Sequence, residues 1–238
     1  MKRTTKRVVI GICIFIGLLV LAAGAFFLKF YFETKGMNPA ETSRINDTVF
    51  CVKNKFVNAF IFKGKVGYFM VDAGIDETTF KTELSRLGIA PEQVNALLLT
   101  HTDGDHIGAA GLFRNCQIYM HKEEEQMING QKGKFFFMKT KWKYGPYILL
   151  NSNDTLTVDG IKVKIIHTPG HTPGSSCYLI GKDYLATGDN LAYKNGKFEH
   201  FADFFNMDTK EQEESIKKLP YLNSVKYIMT GHYGIIRQ

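Results

Sequence analysis

The hydrophobic pattern consists of one long unbroken apolar run followed by a series of short ones. From Val8 to Leu28 no residue carries a charge, and Ile, Leu, Val, Phe and Ala dominate. As a helix this run spans about 32 Å at about 1.5 Å per residue, close to the thickness of a hydrocarbon core. It has no polar face, which argues against a helix lying on the core of a soluble domain. Lys2, Arg3, Lys6 and Arg7 precede it; Phe26, Phe27, Lys29, Phe30, Tyr31 and Phe32 close it as an aromatic and basic belt. The pattern predicts a transmembrane signal anchor within residues 1–32. Its basic end stays cytoplasmic, which places the rest of the chain on the extracytoplasmic side of the cell membrane. Ala23-Gly24-Ala25 resembles a small-residue cleavage site, so a cleaved leader is the alternative. The run is longer than the about 7–15 apolar residues of most leaders, which favours the anchor.

Residues 33–46 are polar, contain Gly36 and Pro39, and read as a linker. Beyond it the pattern shortens. Val49–Val52, Val57–Phe62 and Val66–Val71 are β-branched and aromatic runs separated by lysine-rich and glycine-containing turns, a meander of hairpins. Glu77–Leu87 places Phe80, Leu84 and Leu87 on one helical face and stops at Gly88. Ala96–Leu99 is short, bounded and wholly apolar, as suits a strand buried on both faces. His106–Phe113, rich in glycine and alanine, reads as a helix packed close to a sheet. Gln117–Met120 reads as a strand and Lys122–Ile128 as a charged helix. A hairpin follows across Asp159-Gly160, then strands Ser176–Ile180 and Tyr184–Thr187. Residues 190–206 read as a loop, and Asp208 caps a helix running to about Leu219. Val225–Met229 is the last strand.

Composition changes this picture little. With 238 residues and 45% hydrophobic content, the body is large enough for one core without disulfide staples. None of Cys13, Cys51, Cys116 and Cys177 forms a C-x-x-C pair, which disfavours a cysteine zinc site. The net charge of +7 is concentrated at one end: residues 1–36 hold six basic residues against one acidic, leaving only +2 for the remainder. A nucleic-acid-binding body is not expected. The segment 130–150 interleaves Lys132, Lys134, Lys139, Lys141 and Lys143 with Phe135, Phe136, Phe137, Trp142, Tyr144 and Tyr147. It reads as an irregular surface loop with buried aromatics. The alternatives are a roof favouring an anionic or lipid-like substrate, or a membrane-surface contact.

The chemistry lies at the ends of the apolar runs. Thr100-His101-Thr102-Asp103-Gly104-Asp105-His106 follows Ala96–Leu99 and offers imidazoles and carboxylates within one turn, donors suited to a divalent metal. Thr168-Pro169-Gly170-His171-Thr172-Pro173-Gly174, Thr187-Gly188-Asp189 and Thr230-Gly231-His232 each follow a later strand. Taken in order, these stretches resemble the H-x-H-x-D-H signature and later loops of the metallo-β-lactamase fold superfamily, dominated by metal-dependent hydrolases. Asp103 stands where that family usually has its second histidine.

The resemblance implies a four-layer αβ/βα sandwich over residues 47–238. It also implies two divalent metal ions, zinc first, with iron or manganese as alternatives. His101, Asp103 and His171 would hold one ion; Asp105, His106 and His232 the other; Asp189 would bridge them, and Asp105 would also act in catalysis. A hydroxide shared by the ions would cleave an ester, lactone, thioester, amide or phosphoester of a small-molecule substrate. Asp103 motivates a second possibility, a metal-binding member without turnover; a metal-dependent nuclease is the third. Asp72 reads equally as a turn residue or as part of the metal-site surroundings, His167 as structural or supporting, and His121 and His200 as surface residues.

Overall fold

The computed structural model describes residues 3–134, 139–219 and 221–238, so Phe135, Phe136 and Phe137 of the lysine-aromatic segment lie outside the described residues. The chain divides into two compact units, residues 1–36 and 37–238. The first is a single helix, α1 (Arg3–Thr34), of which residues 6–34 are long and apolar enough to cross a membrane. Its apolar side chains, from Val8 to Phe32, are exposed.

The second unit opens with β1 (Ser43–Arg44), β2 (Val49–Asn54), β3 (Val57–Lys63) and β4 (Tyr68–Val71). Strand β1 corrects the expected linker: Ser43 and Arg44 pair antiparallel with Cys51 and Phe50, so the chain is already on the sheet before residue 47. Helix α2 (Glu77–Leu87) matches its apolar face. Asp76 caps it by accepting the Thr79 amide, and Gly88 ends it at φ 71°, a conformation in which a side chain is strained.

Next come β5 (Val94–Leu98) and a single turn, α3 (Gly104–Ile107). The longer helix expected over His106–Phe113 does not form. The amides of Gly108 and Ala109 donate instead to the carbonyls of Gly74 and Ala73, leaving only a 3₁₀ turn at Ala110–Leu112. A Cβ on Gly108 would lie 2.3 Å from the Ile75 carbonyl oxygen, so this close approach requires glycine.

Strand β6 (Gln117–His121) precedes a 3₁₀ turn and α4 (Glu125–Ile128); β7 (Tyr147–Leu150) completes a seven-stranded sheet in the order β1-β2-β3-β4-β5-β6-β7. Strands β8 (Thr155–Val158), β9 (Ile161–His167), β10 (Ser176–Ile180), β11 (Tyr184–Gly188), β14 (Tyr227–Thr230) and β15 (Ile235–Arg237) form a second, six-stranded sheet. Between β11 and β14 lie β12 (Leu191–Lys194), β13 (Lys197–His200) and helix α5 (Thr209–Lys217). The β12–β13 ribbon replaces the loop expected over 190–206. Asn195 and Gly196, both at positive φ, form the turn, a hairpin signal present in the sequence.

The two sheets pack face to face. Phe60, Phe62, Phe69 and Leu98 of the first meet Val163, Ile165, Tyr178 and Met229 of the second. Alternate residues of the first sheet, including Ile61, Met70 and Leu97, face Phe80 and Leu84 of α2. On the far side Cys177, Leu185 and Ile228 pack with Ile216 and Leu219. This is the helix–sheet–sheet–helix sandwich expected from the resemblance. Cys51, Cys116 and Cys177 are free thiols, and burial pushes Cys51 and Cys177 up to about 12.

Leu98 is fully buried between the sheets, at the end of β5 and three residues before His101. Leu98→Ala should destabilise the chain by ~2–5 kcal/mol in denaturant unfolding of the full-length protein in detergent. A loss below ~1 kcal/mol would show that this contact does not hold the sheets together.

Candidate metal centre

The carboxyl ends of β5, β9, β11 and β14 deliver the polar loops to one place. His101, His106, His171, His232 and Asp189 are all buried, although they derive from both sheets. Asp189 lies at the middle. Its Oδ1 is 3.3 Å from His106 Nε2, and its Oδ2 is 3.2, 3.5 and 3.9 Å from Nε2 of His232, His171 and His101. Asp103 Oδ2 sits 3.1 Å from His171 Nε2 and 3.5 Å from His101 Nε2. Asp105 Oδ2 sits 3.3 Å from His232 Nε2 and 3.8 Å from His106 Nε2. The donors fall into two clusters, Asp105/His106/Asp189/His232 and His101/Asp103/His171, each tight enough for one cation. All seven residues singled out in the sequence are thus brought together.

Every histidine is aimed by its other nitrogen. His106 Nδ1 donates to Asp72 Oδ2 at 2.8 Å, His171 Nδ1 to Asn206 Oδ1 at 3.0 Å, and His232 Nδ1 to the Phe56 carbonyl at 2.7 Å. His101 Nδ1 donates to Thr100 Oγ1 at 3.0 Å, and that hydroxyl in turn donates to Asp72 Oδ2 at 2.7 Å. With acceptors on every Nδ1, each Nε2 faces the centre. Among the described residues, no hydrogen bond reaches His101 Nε2, His106 Nε2 or Asp189 Oδ1, although all three are buried. Buried polar atoms without partners are costly, and a divalent cation would satisfy all three. The donor set therefore fits metal. Main chain crowds the same point: a Cβ on Gly231 would lie 2.4 Å from Asp189 Oδ1.

The charges are strongly coupled. Burial lowers the affinity of His106 for protons, but Asp189, Asp72 and Asp105 overcome it and hold this imidazole well above its ordinary range. His232 is raised to about 10 against the same burial, chiefly by Asp189 and Asp105. Burial and the Lys134 ammonium push His171 down to about 4. Asp189 and Asp103 are held well below the usual carboxylate range, burial being outweighed by His232 and His106 for the first and by Lys134 and His101 for the second.

Several supporting residues were not evident from the sequence. Glu124, fully buried, joins two of the loops. Its Oε1 accepts from the Thr102 amide and hydroxyl, each at 2.7 Å, and its Oε2 from Thr172 Oγ1 at 2.6 Å and the Gly174 amide at 3.1 Å. In the sequence it is one of three adjacent glutamates. The available signal was that Thr102 and Thr172 each follow a site histidine with a hydroxyl in need of an acceptor. Asn206 and Gln212 form a second brace: Asn206 Nδ2 donates to Gln212 Oε1 at 2.8 Å, and Gln212 Nε2 to the Asp189 carbonyl at 2.9 Å. Asp72 proves to be both things at once, a turn residue at φ 59° and the partner of His106.

His121 is not a surface residue, whereas His200 stays partly exposed. His121 is buried and stacks on His167 at 3.8 Å between ring centroids, while half-buried His200 donates to the Phe201 carbonyl. His167 Nε2 bonds the Pro173 carbonyl, a structural role. Within 130–150, half-buried Trp142, Tyr144 and Tyr147 pack on the core, but the expected loop ends at Pro146: Tyr147–Leu150 is β7, paired with β6.

Two outcomes follow from this geometry. Glu124→Ala leaves the Thr102 and Gly174 amides without an acceptor, and Glu124→Gln turns an amide NH₂ towards donors. Both should lower metal affinity about 10–100-fold and destabilise the chain by ~1–3 kcal/mol, read by zinc titration and thermal unfolding. Near pH 7, filling the Asp105/His106/Asp189/His232 cluster must displace one proton from each of the two raised imidazoles. Uptake should therefore weaken as pH falls and strengthen as it rises towards about 10. Calorimetry in buffers of different ionisation enthalpy should report that proton release; none would contradict the assignment.

Comparison with known proteins agrees with the geometry. The profile of the Metallo-beta-lactamase superfamily matches residues 52–232. A probable metallo-hydrolase of Methanocaldococcus jannaschii is 31% identical over 153 residues, a match spanning 64% of this chain and 64% of that relative, just under two thirds of its length. An N-acyl homoserine lactonase of a Bacillus species is 25% identical over 222 residues, covering 80% of this chain and 86% of the lactonase. Among solved structures, the Rm3 metallo-beta-lactamase superposes with a TM-score of 0.65 at 16% identity over 82% of this chain and 79% of its own, a likeness of fold. The matched region begins in β2 and ends at His232, so it takes in most strands of both sheets and every clustered side chain, and this chain belongs to the metallo-beta-lactamase superfamily of hydrolases.

Proposed function

We propose that the chain is a membrane-anchored, metal-dependent hydrolase that opens a small-molecule ester of the lactone or thioester type. The observation that carries this is the set of four Nε2 atoms, each fixed through its Nδ1, gathered about Asp189. His101, Asp103 and His171 would hold one divalent ion and Asp105, His106 and His232 a second, with Asp189 shared between them; zinc suits this mixture of imidazole and carboxylate. When bound, such ions polarise a carbonyl oxygen and bring the pKa of water towards neutrality.

The chain's own groups do the rest. Asp103 and Asp105 are the two site residues that keep appreciable exposed surface, with side chains 19% and 22% accessible, so a substrate meets them first. Asp105 Oδ2 is held by His232 and His106 and is the group placed to accept a proton and return it to the departing oxygen or sulfur. The four histidines and Asp189 are buried and braced, which keeps bulk water away and the geometry fixed.

A lactone is favoured because similarity to the N-acyl homoserine lactonase extends over most of this chain. The body's small net charge argues against a nucleic-acid substrate. Residues 1–32 serve as the anchor, with the basic terminus cytoplasmic and the metal centre outside.

The full-length protein in detergent, loaded with zinc, manganese or iron, should open acyl-homoserine lactones, with ring opening followed by proton release. His106→Ala and Asp105→Asn should each reduce the rate at least about a hundredfold. Protein that retains bound metal yet turns over no lactone, thioester, phosphodiester or β-lactam would overturn the proposal.

A further inference from the structure

Among the described residues, the His101/Asp103/His171 cluster alone is joined by a lysine. Lys134, from the lysine-aromatic segment, places its ammonium against Asp103 Oδ2 and 2.8 Å from His171 Nε2, with its side chain only 11% exposed. The segment is held in place nearby, where Thr140 Oγ1 donates to the Thr102 carbonyl at 3.0 Å. Among the described residues, no lysine or arginine pairs with Asp105 or Asp189.

The contacts of Lys134 exclude a metal at the same atoms. Because His171 Nδ1–H is committed to Asn206, its Nε2 has a single lone pair, and that lone pair accepts from Lys134. A divalent ion held by His101, Asp103 and His171 needs the same lone pair and the same carboxylate oxygen. Two cations also cannot share so small a space without strong repulsion. Asp103 completes the logic, since a carboxylate forms an ion pair with an ammonium and an imidazole does not.

We propose that Lys134 is a built-in competitor for metal at the first cluster. Its ammonium holds Asp103 and His171 until a divalent ion displaces it, so the clusters load in order, the Asp105/His106/Asp189/His232 cluster first. Displacement also frees the Lys134 side chain from the site, coupling metal loading to its position. The inference rests on the metal-dependent reading given above.

Zinc titration of the full-length protein in detergent, against a chromophoric chelator, tests it without reference to activity. The wild type should show two affinities at least about tenfold apart. Lys134→Met should tighten the weaker site at least about tenfold and leave the tighter one in place, whereas Lys134→Arg, which keeps the charge, should behave as the wild type. Amine labelling read by mass spectrometry should find Lys134 protected before saturation with zinc and reactive after it. Equal affinities in the wild type, an unmoved weaker site in Lys134→Met, or labelling indifferent to zinc would each overturn the competition while leaving the metal-dependent reading intact. Failure of the wild type to bind zinc at either site would overturn both.

Discussion

The structure depends on one buried carboxylate. Asp189 reaches the Nε2 atoms of four histidines carried by loops from both sheets. A buried charge is tolerated only when its surroundings compensate it. That compensation requires the ends of β5, β9, β11 and β14 to meet at one point, and hence requires the two sheets to pack in a single register. The apolar contact between the sheets and the polar contact at their edge are therefore parts of one constraint. The braces at Asp72, Glu124, Asn206 and Gln212 extend it outward and leave each imidazole little freedom to turn.

Much of this was legible in the sequence, for identifiable reasons. Short apolar runs became strands because their alternate residues face two different cores, as Leu97 and Leu98 do. Helix α2 could be read because Phe80 and Leu84 share one face and Gly88 is a chemically specific stop. The site residues could be read because the stretches after β5, β9, β11 and β14 resemble the loops of the metallo-β-lactamase superfamily. Tertiary contacts decided what could not be read. The helix expected after His106 gives its amides to Gly74 and Ala73, a partner distant in sequence. The β12–β13 ribbon was missed although Asn195-Gly196 marks its turn, because only four residues lie on each side. Glu124 was hidden among three glutamates that look equally solvated, and which one turns inward depends on Thr102 and Thr172.

The departure at Asp103 gains a physical account. A carboxylate in place of an imidazole adds negative charge to a buried site that already contains Asp189, and Lys134 balances it. The 130–150 segment is thus divided in its roles: Trp142, Tyr144 and Tyr147 fasten it to the core, while Lys134 reaches Asp103 and His171. The two clusters are unequal because one is joined by Lys134, while among the described residues no lysine or arginine pairs with Asp105 or Asp189.

The central claim is that Nε2 atoms from separate loops converge on a shared metal site. X-ray absorption spectroscopy of the zinc-loaded, full-length protein tests it most directly. The account predicts nitrogen and oxygen neighbours at about 2.0–2.2 Å, with the outer-shell scattering of several imidazoles and no sulfur. A sulfur shell near about 2.3 Å, or a spectrum without imidazole scattering, would contradict it.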